Sequence, residues 1–406
     1  MPEWSITVSV VERNRILKDE MIVTIKRIYV YYKKITMREK VMNSKTNTVC
    51  LNTVKFFGAC IVAFVWHYQH FAPVNGSPFD FIFAYSYPYG WLMVELFFML
   101  SGFGMMVGYG NRVLKHQMPF PEYIRKRLNK IYPLFFVTLI LVIILELIFK
   151  AKTGNTFEYA NFDLYHLFLN VILCHDGVFG VEESFNAPSW CVSVCFILYA
   201  VFFIVFYFSK DKKTAVYKFA CLGILGAILL SLGWNYPILN SMVARGLFCF
   251  SIGVVLAYFY QNEHLFSTRL IGYVSMVVLI VIYVVYRAFP AIIGNMQMLF
   301  ILFIAPMIIV CTIYVPGLNK CFSMKFFVYL GSLSMEIYLF HFIVQCAIKN
   351  IDIYCNLELN YSRKIVWIVY AVSTILVSIL YKQLLADKFT MLFIKICDSL
   401  LVKANK

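Results

Sequence analysis

An apolar stretch near the beginning of the chain carries three side chains that could perform acid–base chemistry. Lys55 lies near the start of residues 52–71, and His67 and His70 lie near the end. The three-residue spacing of the histidines places both on one face of a helix, and the twelve residues from Lys55 to His67 extend roughly 18 Å along a regular helix. An imidazole titrates near neutral pH and can accept a proton from a hydroxyl group. The stretch therefore predicts a cation near one membrane face and a proton acceptor near the other.

These three side chains also permit a structural interpretation. Lys55 could extend its ammonium group to the membrane interface, and the histidines could hydrogen-bond to neighbouring helices. Ionisable groups inside a membrane span are costly, however, which favours a functional site. Glu95, in the second apolar segment, needs a basic partner, and whether it serves in an ion pair or in catalysis stays open. We also count it among the candidate substrate-binding residues. Three basic side chains could be that partner: Lys55, His67 and Arg245.

Three later apolar segments contribute further candidates. His341 could act as a second acid or base, as an orienting partner, or as a hydrogen-bonding group between helices. Arg245 could stabilise a negatively charged oxygen, bind an acceptor, or contact a lipid headgroup. Asn186 and Trp190 could line an acceptor site, because amides and aromatic faces suit sugars, although Trp190 could also belong to an interfacial belt.

The composition is that of a multi-pass membrane protein. The chain has 406 residues, 61% of them hydrophobic and 14% charged, with a mean hydropathy of +0.75. A soluble domain of this size is far less apolar. The net charge of +15 could indicate nucleic acid, but the distribution of charge among the loops accounts for it without such a partner. The twelve cysteines include no Cys-x-x-Cys pair, so neither structural disulfides nor a metal site is predicted.

Hydropathy predicts an all-α fold, a polytopic membrane bundle of about ten helices. The predicted spans are about 50–71, 84–107, 131–149, 189–208, 215–233, 241–260, 269–287, 296–315, 327–348 and 364–384. Residues 1–49 form a basic cytoplasmic segment with a candidate interfacial helix at 22–32, and residues 1–41 could be dispensable. Residues 50–385 form the transmembrane domain, and residues 386–406 form a cytoplasmic tail.

The charges of the loops set the expected orientation. The first and fifth loops, 72–83 and 234–240, contain no Lys or Arg, whereas the second and fourth loops are basic. By the positive-inside rule both termini are cytoplasmic. Lys55 then lies near the cytoplasm, whereas the histidines of the first span, His341, Arg245 and residues 186–190 converge near the outer face. Convergence from four distant stretches favours a functional pocket.

An ordered set of motifs resembles acyltransferase family three, multi-pass membrane enzymes that O-acylate sugars and other envelope acceptors. The motifs are Lys55 with His67; residues 90–103, which end in Phe-Phe-x-x-Ser-Gly-Phe; the basic residues 123–133; residues 186–193, which read Asn-x-Pro-x-Trp-x-x-Ser; Arg245-Gly246; and Gly331-x-x-Ser334-x-x-x-Tyr338-Leu-x-His341. The set covers nearly all of residues 50–385. Within it, we interpret Ser101 and Gly102 as a site of close helix packing rather than as a nucleophile.

The resemblance implies an O-acyltransferase of a bacterial plasma membrane. Its donor would be acetyl-CoA, which approaches from the cytoplasm, and its acceptor a hydroxyl of a cell-surface or exported polysaccharide, at the membrane or beyond it. His67 is our first candidate for the base and His70 the second, with His341 and Arg245 completing the catalytic set. Four cations could bind the donor's phosphates, although they could also serve only to set the topology: Lys55, Arg125, Arg127 and Lys130.

Three departures from the family pattern affect these expectations. Eleven residues separate Lys55 from His67 where the family usually has ten, and one added residue rotates a regular helix by about 100°. A π-bulge could absorb the extra residue, or His70 could be the working histidine. Lys55 replaces the commoner arginine and lacks its bidentate fork. Cys195 occupies the position at which many relatives carry a glutamate.

Two other classes of function remain as alternatives. A transporter or flippase of a lipid-linked glycan or small anion could use the same charges, but the two halves of the chain show no convincing repeat. A non-catalytic envelope scaffold would tolerate replacement of every histidine in the site.

Overall fold

A computed structural model describes residues 48–84, 86–175, 177–179, 182–262, 268–289 and 294–404. The predicted basic segment 1–49, apart from its last two residues, lies outside this part, as do the candidate interfacial helix at 22–32 and the boundary at 41. The described residues are helices and connecting loops, with no strand among them. The predicted all-α class is thus confirmed.

Fourteen helices follow one another along the described part of the chain. They are α1 (Cys50–Phe71), α2 (Asp80–Phe83), α3 (Ser86–Leu114), α4 (Phe120–Thr153), α5 (Leu164–Val171), α6 (Ala187–Tyr207), α7 (Lys212–Ser231), α8 (Ser241–Gln261), α9 (Thr268–Ala288), α10 (Met296–Tyr314), α11 (Pro316–Phe322), α12 (Lys325–Ser332), α13 (Ser334–Cys355) and α14, which begins at Lys364 and ends at Ala404.

Among the described residues, nine helices are long and apolar enough to cross a membrane, and a bent pair makes a tenth span. That pair is α12 and α13, which meet at an angle of 52°. Each predicted span therefore has a helical counterpart, but the bounds differ. Helix α4 begins at Phe120 rather than near residue 131, and α14 continues through a π-helical turn at Tyr381–Leu385 into the predicted tail.

Close contact between α3 and α8 depends on two glycines. A Cβ atom on Gly102 would lie 2.1 Å from the carbonyl oxygen of Phe250, and one on Gly253 would lie 1.9 Å from that of Met99. Because no side chain fits at either position, the two backbones approach directly. This confirms the packing interpretation of Gly102.

Contacts at both ends show that α1 and α13 run in the same direction. Gly331, just before α13, packs against the backbone of Asn52, while His341 contacts His67. The bundle thus has a lysine face, where Lys55 lies, and a histidine face, where His67 lies. Neither name refers to a particular side of the membrane.

Candidate active site

Helix α1 changes its winding immediately before the histidines. Residues Cys50–Cys60 are α-helical, Ile61–Trp66 form a π-helical turn, and His67–Phe71 form a 3₁₀ turn. A π turn accommodates one extra residue without rotating the helix beyond it. Of the two explanations offered for the eleven-residue spacing, a π-bulge or a working role for His70, the structure contains the π-helical turn.

His67 and His341 form a hydrogen bond between α1 and α13. The Nδ1 atom of His67 lies 2.6 Å from the Nε2 atom of His341, and the Nδ1 atom of His341 lies 2.7 Å from the carbonyl oxygen of Tyr338. A carbonyl oxygen can only accept, so Nδ1 of His341 donates its proton there. In a pair of neutral rings, Nε2 of His341 then accepts from Nδ1 of His67. This order leaves the lone pair of His67 on Nε2, where it can receive a proton.

Further contacts fix the position of this pair. The side-chain amide of Gln345 donates to the carbonyl oxygen of His67 over 2.6 Å. His70 stacks on the ring of His67 with 4.9 Å between centroids and packs edge-on against Tyr159 and Phe342. His70 is thus adjacent to the hydrogen-bonded pair but contributes ring contacts rather than a link in the chain.

Arg245 forms a second polar centre near the beginning of α8. Its Nε atom donates to Glu95 across 2.8 Å, and Gln297 donates to the same carboxylate oxygen across 3.0 Å. The guanidinium lies between the rings of Trp91 and Trp190, 5.1 Å from each centroid. Of the partners considered for Glu95, Arg245 is the one that the structure provides.

Residues 186–191 connect the two centres. Asn186 is fully buried, and its side-chain amide donates to the carbonyl oxygen of Leu339 over 3.4 Å. The hydroxyl of Tyr338 donates to the carbonyl oxygen of Pro188 over 2.5 Å. This segment therefore holds Trp190 against Arg245. Its residues 186 and 188 also hydrogen-bond to the turn of α13 around His341.

His175 also hydrogen-bonds to this part of the chain, and it was not among the predicted site residues. Its Nε2 atom lies 3.2 Å from the hydroxyl of Ser189, and its Nδ1 atom lies 3.0 Å from that of Ser193. Its ring stacks on that of Phe135. Burial lowers the pKa of His175 to about 4, so the ring is neutral at physiological pH. A neutral imidazole bridging two hydroxyls anchors the start of α6.

A cavity of about 410 Å³ opens toward the lysine face. Three cations line it: Lys55, Arg127 and Lys130. The rest of its wall is mainly apolar and aromatic and includes Phe97, Cys191, Cys195, Tyr199 and Tyr338. The predicted fourth cation, Arg125, lies elsewhere, on an exposed surface where it pairs with Asp398 of α14 at 2.9 Å.

The structure thus divides the predicted residues into three groups. His67, His70 and His341 meet; Arg245, Glu95 and Trp190 meet; and three of the four predicted donor-binding cations share a cavity. Sequence reasoning missed four residues that complete these groups: Trp91, His175, Gln297 and Gln345. Only Gln345 carried a signal, since it lies four residues after His341 on one helical face.

These features define a polytopic membrane protein with a hydrogen-bonded histidine pair, in which His341 is fully buried, and a basic cavity. Residues 48–382 match the family model of acyltransferase family 3, which describes an acyltransferase domain. The chain belongs to this family and is a membrane acyltransferase. No curated protein and no solved structure gives a significant match.

Proposed function

We propose that the protein transfers an acetyl group from acetyl-CoA to a hydroxyl of a cell-surface or exported polysaccharide, at a bacterial plasma membrane. The observation that carries this proposal is the ordered hydrogen-bond chain from His67 through His341 to the carbonyl oxygen of Tyr338. The chain leaves a basic nitrogen on His67, which suits deprotonation of an alcohol.

The cavity at the lysine face suits the donor. Acetyl-CoA carries phosphate charges at its nucleotide end and an uncharged, extended arm that ends in the thioester. The cavity combines three cations with apolar walls. The Nε atom of Arg127 is buried and, among the described residues, has no hydrogen-bond partner. A buried cationic donor without a partner favours an anionic ligand. We assign the lysine face to the cytoplasm, where acetyl-CoA is made, in agreement with the basic loops.

The reaction then follows from the positions of these groups. Nε2 of His67 removes the proton of the acceptor hydroxyl as its oxygen attacks the thioester carbonyl carbon. The tetrahedral intermediate breaks its carbon–sulfur bond, and the imidazolium returns the proton to the leaving thiolate. The products are an acetyl ester and free CoA. His341 keeps Nδ1 of His67 as the donor throughout, so Nε2 stays available.

The acceptor would approach from the histidine face. Tyr159 and Phe342 lie around His70, and Trp91 and Trp190 enclose Arg245. Aromatic faces of this kind suit sugar rings. Because Glu95 already neutralises Arg245, we assign Arg245 to positioning this surface rather than to stabilising the oxyanion.

Labelled acetyl-CoA in inside-out vesicles tests the proposal. With the native glycan fraction present, we expect alkali-labile label in the glycan only in vesicles that contain the protein. Label that stays on CoA in both preparations would contradict the proposal. Uptake of glycan or anion without acetyl transfer would instead support the transporter alternative.

A further inference from the structure

Tyr338 borders both the donor cavity and the histidine pair. Its side chain lines the cavity, and its ring centroid lies 6.0 Å from that of His341, one helical turn further along α13. His67 and His341 themselves do not line the cavity. Of the α13 residues that line the cavity, Tyr338 lies nearest to His341, close to where the reaction is proposed to occur.

Contacts on every side hold this ring in place. The hydroxyl of Tyr338 donates to the carbonyl oxygen of Pro188 and accepts from the thiol of Cys191, 3.2 Å away. Phe97 meets the ring edge-to-face with 5.9 Å between centroids. Phe97 itself packs against Gly58, where an added Cβ atom would lie 2.9 Å from the ring. Neither ring can move aside without disturbing a helix contact.

We infer that Tyr338 and Phe97 form a wall that limits the length of the acyl group. This inference rests on the proposed function, because it assumes a CoA thioester in the cavity. We place the thioester carbonyl at the edge of the Tyr338 ring nearest His341, within reach of the acceptor oxygen, and the acyl tip against the ring itself. An acetyl group then fits, and each further methylene must displace a fixed aromatic ring. Overpacking of this kind discriminates by about tenfold or more per methylene. The substrate class is therefore a short-chain acyl-CoA of about two to three carbons.

Displacement of labelled acetyl-CoA from the full-length protein in proteoliposomes tests the wall without needing the acceptor. The competitors are acetyl-, butyryl- and hexanoyl-CoA. We expect butyryl-CoA, which carries two more methylenes, to compete about a hundredfold more weakly than acetyl-CoA in the wild type. Phe97→Ala and Tyr338→Leu should each reduce that ratio about tenfold or more, because both open the wall.

Two control variants separate shape from other effects. Tyr338→Phe retains the ring and should keep the wild-type ratio, as should Phe208→Ala, which removes an aromatic ring that is 71% exposed. If Tyr338→Leu fails to fold, Phe97→Ala decides the outcome. Equal competition by all three thioesters, or an unchanged ratio in the opened variants, would refute the wall but leave the proposed function standing. Absence of any acetyl-CoA binding in the wild type overturns the proposed donor and this inference with it.

Discussion

The Nδ1 atom of His67 lies 2.6 Å from the Nε2 atom of His341, although the two histidines are 274 positions apart in the chain. This contact joins the 3₁₀ end of α1 to the second turn of α13. Because His341 is itself held by the carbonyl oxygen of Tyr338, a backbone acceptor determines which nitrogen of His67 is basic. The tautomer is thus fixed by helix geometry, and no carboxylate of the described residues hydrogen-bonds to either ring.

Replacement of His341 tests this orienting role. His341→Ala should lower kcat by roughly 10²-fold, because His67 can then adopt either tautomer, while the KM for acetyl-CoA stays near the wild-type value. His341→Gln should retain more activity, since its amide oxygen can accept from Nδ1 of His67. Steady-state kinetics in vesicles measures both values. Equal loss in the two variants would argue that His341 does more than accept a hydrogen bond.

The cations of the cavity should control donor binding. Lys55→Ala and Arg127→Ala should each raise the KM for acetyl-CoA by about tenfold, which corresponds to roughly 1.4 kcal/mol for one lost charge–phosphate contact. The effect should weaken with added salt. Lys126→Ala is the matched control, because Lys126 lies on the same helix as Arg127 but pairs with Glu122 on the exposed surface. A change in kcat alone would contradict this assignment.

The ion pair between Glu95 and Arg245 should be important for stability. Glu95 is fully buried, and Glu95→Ala would leave Arg245 with a largely buried, unpaired charge, at a cost on the order of 3 kcal/mol. Arg245→Met in the same chain should recover much of that loss. Thermal unfolding in detergent measures each variant and the coupling between them. Additive losses in the double variant would show that the two residues act independently.

The π turn in α1 should tolerate a deletion but not an insertion. Removing Ile61, the first residue of the Ile61–Trp66 turn, can convert the turn to α-helix and leave His67 facing His341. Inserting an alanine after Ile61 adds about 100° of rotation and should abolish transfer. Acetyl transfer and expression level together check both variants. Loss of activity in a well-expressed deletion variant would show that the π turn has a role beyond spacing.

Much of the fold could be predicted because membrane helices are encoded locally, in runs of apolar residues. The bounds of α4 and α14 could not, since their polar ends continue as helix and pack against each other. Arg125 of α4 pairs with Asp398 of α14 at 2.9 Å, and both residues lie outside the predicted spans. Hydropathy also gives no indication of the 52° bend between α12 and α13, next to which Gly331 packs against the backbone of Asn52 in α1.

The predicted site residues were those that are conspicuous in a membrane span. Histidines and ion-pair residues are costly there, so His341, Glu95 and Arg245 could be selected as candidates from sequence alone. Gln297 and Trp91 could not, because a neutral amide or an indole is unremarkable in an aromatic-rich span until its contact with Glu95 or Arg245 is seen. Arg125 and Arg127 lie two positions apart on one helix and so face different surroundings.

The most direct test of the account compares His67→Ala with His70→Ala in acetyl transfer from labelled acetyl-CoA in inside-out vesicles. Because His67 carries the oriented basic nitrogen, His67→Ala should lower kcat by about 10²- to 10⁴-fold. His70→Ala, which removes a stacked neighbour, should lower it less than about tenfold. Wild-type rates in His67→Ala, or loss of transfer in His70→Ala alone, would contradict the assignment of His67 as the base.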